Sequence, residues 1–360
     1  MGERGQHDVV VIGAGQAGLA AGYHLKRAGV DFAILDAETA VGDQWRRRWD
    51  SLRLFTPARH DGLPGSPVPG AAGRCPTGRE TADYLADYAR RWELPVVSGT
   101  RVTRLASDAD GFLVSTDAGA RRARSVVVAT GATTVPNMPA VAASLDPRIS
   151  QLHSEQYREP ASVPGERVLV VGYGTSGAQI AMELSHAGRD VVIAGDHTAA
   201  IPRAFLAVAG ELWWIVLTRV MTRKTPVGRR VAPKATTHGS PLIGISPKDV
   251  RAAGVREAGR VESAEDGLPV VDGAALDVDA VVWCTGYRGD FSWIDVPGLE
   301  IDVHGFPVAL FGLAPGVPGL GFVGMPFQTG LASQLIGGVG DDAAHVVRTL
   351  LERSSKPVTT

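Results

Sequence analysis

The chain has 360 residues, 44% hydrophobic and 21% charged, with a formal net charge of −2. That length leaves room for two or three domains around a large core, and the near-neutral balance gives no electrostatic footprint for nucleic acid or for firm membrane association. The two cysteines, Cys75 and Cys284, stand far apart without a C-x-x-C, which argues against a redox disulfide and a metal cage; no apolar signal stretch opens the sequence, so a cytoplasmic protein is expected.

The first element is an apolar run over 9–12, expected as a buried parallel strand. It leads into Gly13-Ala14-Gly15-Gln16-Ala17-Gly18, a G-x-G-x-x-G. In that pattern the first Gly permits a tight turn, the second lets backbone approach a pyrophosphate and the third lets the next helix pack against the strand. Ala21, Leu25 and Ala28 follow at i, i+4 and i+7, one helical face. The next strand, 32–35, ends in Asp36 and Ala37, where a carboxylate meets the adenosine ribose of a bound dinucleotide.

Residues 37–80 are loop-rich, broken by Pro57, Pro64, Pro67, Pro69 and Pro76. A helix is predicted over 80–92, with Tyr84, Tyr88 and Trp92 on one face. Strands follow near 96–97, 102–105 (headed by Val102), 112–116 and 124–129, the last closing on Ala129-Thr130-Gly131. The proline-rich stretch 132–166 reads as a crossing into a second domain.

That domain repeats the first. An apolar run over 168–171 leads into Gly172-Tyr173-Gly174-Thr175-Ser176-Gly177, then Ile180, Leu184 and Ala187 on one helical face. The repeat closes on Thr285-Gly286, as the first closes on Thr130-Gly131. First and closing glycines stand 118 residues apart in one half (13 to 131) and 114 in the other (172 to 286). Two such units imply two dinucleotides in one enzyme, with a hydride passed between them. The second unit's strand, 190–194, ends in Gly195-Asp196-His197. Asp196 would repel a 2′-phosphate and accept from a free ribose hydroxyl, so NADH is expected to serve at least as well as NADPH; Arg203 compensates if its loop folds back.

An apolar segment over 205–221 contains Trp213-Trp214 but also Glu211 and Arg219, too short and too charged for a membrane span. A partly buried helix, a cap over the active site and a homodimer contact are all open readings for it. Strand character at 319–325 and a helix over 331–351, its N-terminus aimed at a flavin carbonyl, complete the chain.

Several loops resemble the flavin-containing (class B) monooxygenases, closest to their short bacterial CzcO-like, auxin-enzyme-like branch. They are the G-x-W loop from Gly42 to Pro57, Ala129-Thr130-Gly131, the Gly172–Gly177 fingerprint, Trp283 to Tyr287 and Phe322 to Gln328. The resemblance implies an α/β fold of two Rossmann-type domains, glutathione-reductase-like. Residues 1–145 and 287–360 would bind FAD; 146–286, with a helical insert at about 204–240, would bind NAD(P)H. It further implies a monooxygenase that forms a flavin C4a-(hydro)peroxide and, with O₂, oxygenates a small N, S or carbonyl substrate. Trp45 would pack on the flavin, with Gln44, Thr56, His60, Asp61 and Gln328 as polar groups nearby and Val102 a further cofactor contact. Phe55, Trp213 and Phe327 join His60 and Asp61 as substrate candidates. The F-x-G-x-x-x-H-x-x-x-[YF] fingerprint is half present: His153 and Tyr157 fit, while Pro147 and Ile149 replace its Phe and Gly. The Asn expected near the flavin has no counterpart between Ser51 and Pro57. The alternatives are a flavin reductase or oxidase that releases H₂O₂, and a non-enzymatic flavin-binding accessory protein.

Overall fold

The apolar run 9–12 forms the heart of β1 (Gln6–Ile12), which turns through the first glycine loop into α1 (Gln16–Arg27) and returns as β2 (Phe32–Leu35). The computed structural model describes residues 6–197, 199–201, 203–237 and 241–354; at 203, 204, 207, 234–237 and 354 it describes backbone only. The side chain of Arg203, the compensating cation expected from sequence, is therefore outside the described residues.

Beyond α2 (Asp43–Arg46), the aromatic-faced helix is α3 (Gly78–Arg91). It starts two residues earlier than its apolar face suggests because Thr77 caps it: the Thr77 hydroxyl accepts from Glu80 N and the Glu80 carboxylate accepts from Thr77 N. The next strands are β3 (Val96–Val97), β4 (Val102–Asp108), β5 (Gly111–Thr116) and β6 (Gly119–Val128). After the short β7 (Val135–Pro136) and β8 (Ser150–His153), the second unit runs β9 (Arg167–Val171), α4 (Thr175–His186) and β10 (Asp190–Ala194).

The insert comprises β11 (Ala200–Ile201), α5 (Arg203–Ile215), a π-helical turn over Val216–Val220, α6 (Pro226–Thr237) and β12 (Leu242–Ile243). The chain continues through α7 (Pro247–Ala252), β13 (Arg256–Ala258), β14 (Val261–Glu265), β15 (Leu268–Val271), β16 (Ala274–Ala275) and β17 (Ala280–Trp283). It ends with β18 (Tyr287–Arg288), β19 (Ile294–Asp295), β20 (Leu320–Phe322) and α8 (Val339–Ser354).

The strands make two principal sheets. One has the order β19-β4-β5-β6-β1-β2-β3 with β20 also on β6, the other β13-β10-β9-β17-β8. β1 is parallel to both neighbours, β6 and β2, as β9 is to β17 and β10. Each central strand is buried on both faces: Val9 and Val11 join one core, Val10 and Ile12 another, and Val168/Val170 divide from Leu169/Val171 likewise. The two crossings between sheets pair with each other, β7 antiparallel to β18.

The final helix departs from expectation. Residues 331–338 form turns, and α8 begins at Val339 rather than near 331, so no helix N-terminus stands at Leu331. The cause is the pair Gly337-Gly338. A β-carbon on Gly337 would overlap the His60 carbonyl oxygen, and one on Gly338 the Ala332 carbonyl oxygen, so both glycines serve close backbone approach instead of a helix. Among the described residues no helix is long and apolar enough to cross a membrane.

Candidate functional site

The two glycine loops share one construction. Gly13 has φ +104° and Gly172 φ +110°, both left-handed. A β-carbon on Gly13 would lie 2.6 Å from the Ala129 carbonyl oxygen, and one on Gly172 would overlap that of Cys284, the corresponding residue of the closing motif. A β-carbon on Gly18 or Gly177 would overlap the carbonyl of Gly13 or Gly172. First and third glycines are thus dictated by packing within the protein. Gly15 differs: its backbone is extended (φ −72°, ψ −174°), and a β-carbon there would meet only Gln44 Oε1, at 3.6 Å. Packing does not demand Gly15; it keeps a cradle open at the N-terminus of α1, where the cap makes no side-chain hydrogen bond and the first turn carries no acid. Gly174 caps α4 in the same way, with Ser176 exposed beside it. Such helix ends offer N–H groups and a positive dipole to an anion.

Asp36, at the end of β2, is half-buried and accepts from Ala14 N and from Glu38 N (2.8 Å), tying strand end to glycine loop. Burial pushes its carboxyl above the usual range against those two bonds. Thr100 N donates to the Asp36 carbonyl at 2.7 Å, which brings the approach to Val102 alongside; Ala37 is exposed. In the closing motif Thr130 Oγ1 is buried without a partner, and Gly131 and Gly286 share φ +76°.

In the second unit Thr175 has a structural bond as well: its hydroxyl donates to Pro241 O (2.9 Å) and accepts from Ile243 N (3.2 Å), pinning the insert's return. Thr285 Oγ1 donates to Asn137 O, and Asn137 N donates to Gly286 O at 3.0 Å, so the closing motif is laced to the crossing. His153 Nε2 donates to the same carbonyl at 3.0 Å while Nδ1 accepts from Glu155 N at 3.2 Å. Burial lowers its pKa, and both nitrogens serve backbone. Asp196 is exposed and paired with Arg260, whose Nε donates to its carboxylate at 2.8 Å. Neither Asn137 nor Arg260 was marked by any motif; each lies far in sequence from the residue it serves.

Between the sheets runs the loop after Gly42. Trp45 packs against cores of both sheets, and Trp49 and Leu52 belong to a core of the second. Arg48 donates to the Tyr287 hydroxyl, with its guanidinium 5.2 Å from the ring centroid, and Tyr287 meets His153 edge-on at 4.9 Å. Further on, Thr56 Oγ1 donates to Asp61 Oδ1. Asp61 is 1% exposed, Oδ2 has no partner, and burial pushes its pKa up to about 7 against the Thr56 bond. His60 stacks on Trp214 (4.6 Å, 15°), and Glu211 pairs with Arg59 and lies 3.5 Å from His60 Nε2. Burial lowers the His60 pKa. Arg59, His60 and Trp214 line a groove of about 410 Å³ with Leu63 and Pro67.

Trp214 faces this groove; its neighbour Trp213 and Phe55, both substrate candidates, are half-buried without a ring contact among the described residues. The insert also clasps the chain near Gln328: Arg223 N donates to Thr329 O (2.8 Å), Leu331 N to Met221 O (2.9 Å) and Arg223 Nε to Phe327 O (2.8 Å). Phe327 is buried at φ +47° under the Arg223 guanidinium, and Gln328 is 5% exposed with Nε2 unpartnered.

Two sheets, the first mixed and the second parallel, each with a glycine cradle at the end of a central strand flanked by parallel neighbours, and joined by paired crossings, define an oxidoreductase fold built for two dinucleotides. A family model described as pyridine nucleotide-disulphide oxidoreductase matches residues 10–203. An uncharacterized CzcO-like oxidoreductase of Geobacillus kaustophilus is 38% identical over 346 residues, covering 96% of this chain and 98% of the relative. Indole-3-pyruvate monooxygenase YUCCA4 of Oryza sativa subsp. japonica is 26% identical over 389 residues, covering 96% of this chain and 87% of its own. The structure of a flavin-containing monooxygenase from Stenotrophomonas maltophilia superposes with a TM-score of 0.76 at 32% identity, over 98% of this chain and 100% of that one. The chain belongs to the pyridine nucleotide-disulphide oxidoreductase family, in the branch of the CzcO-like oxidoreductases and flavin-containing monooxygenases.

Proposed function

We propose that the protein is an FAD-dependent NAD(P)H monooxygenase acting on a small organic substrate with a nucleophilic N or S atom or a carbonyl. Substrate, O₂, NAD(P)H and a proton give oxygenated substrate, water and NAD(P)⁺. The observation that carries the reading is the doubled cradle, with its second glycine left open at each helix N-terminus. In this reading residues 1–145 and 287–360 hold FAD, and 146–286 hold the nicotinamide nucleotide, with the insert at about 204–240 reaching back over the first part.

The buried Thr130 Oγ1 and Gln328 Nε2, both without protein partners, fit a group that brings its own acceptors, and the Gly15 cradle fits a pyrophosphate. Gly13, Gly15, Gln16, Ala17 and Gly18 would receive the FAD pyrophosphate, Asp36 its ribose, and Gln44 and Trp45 would cover it. Gly172, Gly174, Ser176 and Gly177 would receive the nicotinamide nucleotide. Bound FAD supplies two-electron transfer from the nicotinamide and reaction with O₂. The protein's own part is placement and exclusion of water: the His60–Trp214 stack and the Arg59–Glu211 pair close the insert over the loop at 59–67.

The test supplies ¹⁸O₂ and either nicotinamide to the flavin-loaded protein with amine, sulfide and ketone acceptors. One labelled oxygen in product per nicotinamide consumed is expected. Nicotinamide oxidation with stoichiometric H₂O₂ and no labelled product from any acceptor would make it a reductase or oxidase; no oxidation of either nicotinamide would leave a flavin-binding accessory protein.

A further inference from the structure

The insert bears a face that nothing among the described residues covers. Phe205, Val208, Leu212 and Ile215 recur on α5 at steps of three, four and three, one stripe of a helix. They are 46%, 91%, 63% and 52% exposed. The stripe persists across a bend at Ala209. The other side of the helix is engaged, through Trp214 on His60 and Glu211 on Arg59. α5 is therefore amphipathic with its apolar side turned outward, the reverse of a helix that serves only the core.

Charge indicates what covers that side. Residues 203–237 contain seven Lys and Arg and a single acid, Glu211, in a chain whose net charge is −2. Arg59 already neutralises Glu211. Arg219, one turn beyond Ile215, and Arg223, Lys224, Arg229 and Arg230 are exposed, and among the described residues none forms an ion pair with a carboxylate. Val220 and Val227 extend the exposed apolar surface among these cations. A two-fold dimer through this face would set two strongly cationic patches against each other, so the charge opposes a second copy. An apolar stripe set among cations complements a surface with apolar depth and negative headgroups. We propose that α5 and the basic turns after it dock this protein on an anionic lipid bilayer, lying in the interface without crossing it. The near-zero charge of the whole chain conceals this because the insert's net charge of +6 (seven cations, one acid) is offset by −8 over the rest of the chain (29 Lys and Arg, 37 Asp and Glu).

The experiment uses the full-length flavin-loaded protein and two vesicle preparations, pure phosphatidylcholine and equal parts phosphatidylcholine and phosphatidylglycerol. Co-sedimentation is expected with the anionic vesicles at least ~10-fold more strongly than with the zwitterionic ones, weakening as salt is raised. The double variant Val208→Asp/Leu212→Asp is expected to abolish it, and Arg219→Gln/Arg230→Gln to weaken it several-fold. All four positions are exposed, and unchanged flavin content with an unchanged near-ultraviolet dichroism spectrum would show each variant folded. Equal partition to both vesicle types, or anionic binding that survives both double variants, would overturn the proposal. So would absence of vesicle binding together with a dimer that the Asp variants dissociate, which would assign the face to a second copy.

Discussion

Arg260 Nε donates to the carboxylate of Asp196 at 2.8 Å, so the end of β10 presents a cation already claimed by an acid. Both side chains are largely exposed, at 77% and 68%, so the pair is weakly held and screened by salt. A 2′-phosphate arriving here meets the acid first and must break the pair to reach the guanidinium. We expect kcat/KM with NADH to equal or exceed that with NADPH. Asp196→Ser should free Arg260 and shift the NADPH/NADH ratio about 10-fold toward NADPH, some 1.4 kcal/mol, and adding Arg260→Ala should cancel the gain. Steady-state kinetics with both nucleotides decides it; a wild-type protein with a substantially higher kcat/KM for NADPH would refute the assignment of Asp196.

Gly15 and Gly18 separate binding from folding. A methyl on Gly15 enters the open cradle at an extended φ that alanine adopts readily, whereas one on Gly18 overlaps the Gly13 carbonyl oxygen. Gly15→Ala is therefore expected to fold with near-normal thermal stability in the apo form and to lose most of its flavin on dialysis. Gly18→Ala should lose several kcal/mol of stability, the range of overpacked cores and strained backbone. Flavin absorbance and apo-protein melting temperature, measured on both, test this: equal flavin retention in Gly15→Ala and wild type would remove Gly15 from the cofactor site.

The glycine loops were legible because their three constraints fall within six residues, and the double-faced burial of β1 and β9 was legible because both read as unbroken apolar runs. What escaped is what space brings together and sequence keeps apart. Nothing near Asp196 in sequence points to Arg260, nor anything near Gly286 to Asn137, and the Arg48–Tyr287 contact joins residues from opposite ends of the chain. The start expected at 331 for the last helix was eight residues early for a related reason: apolar periodicity continues through Gly337-Gly338, but the close approach of His60 and Ala332 that those glycines permit has no local signature. Trp213 and Trp214 are adjacent and alike, and only the orientation of α5 selects Trp214 for the groove.

Asp61 gives a pH-dependent stability whose sign is fixed. Its pKa is raised from 3.8 to about 7 in the folded protein, so between those values the folded state binds the extra proton. This contribution is fully present below about 3.8, is lost as pH rises through about 7 and is flat beyond. At 1.36 kcal/mol per unit the full span is on the order of 4 kcal/mol. Asp61→Asn keeps an acceptor for Thr56 Oγ1 and removes the titration. The variant is expected to melt close to wild type at pH 4 and to be more stable by about 2–4 kcal/mol at pH 8. Urea unfolding across that range measures it, and a difference independent of pH would show that Asp61 ionises freely.

The His60–Trp214 stack is where the insert meets the loop before Gly62, at 4.6 Å and 15° between ring planes, with Glu211 alongside. Burial lowers the His60 pKa against the pull of Glu211, which favours the uncharged ring in this stack. Removing it costs about 0.5–1.5 kcal/mol beyond the buried area, so Trp214→Ala should fold, but its groove is open to water. If the insert shields the reaction from solvent, the variant should oxidise nicotinamide at nearly the wild-type rate while several-fold more of the electrons end in H₂O₂ and correspondingly fewer in oxygenated product. Trp214→Phe, which keeps a ring against His60, should recover most of the coupling. The ratio of H₂O₂ to nicotinamide consumed, taken across the three proteins with one substrate, is the deciding number: if it stays constant, the insert has no part in excluding water and Trp214 is only a packing residue.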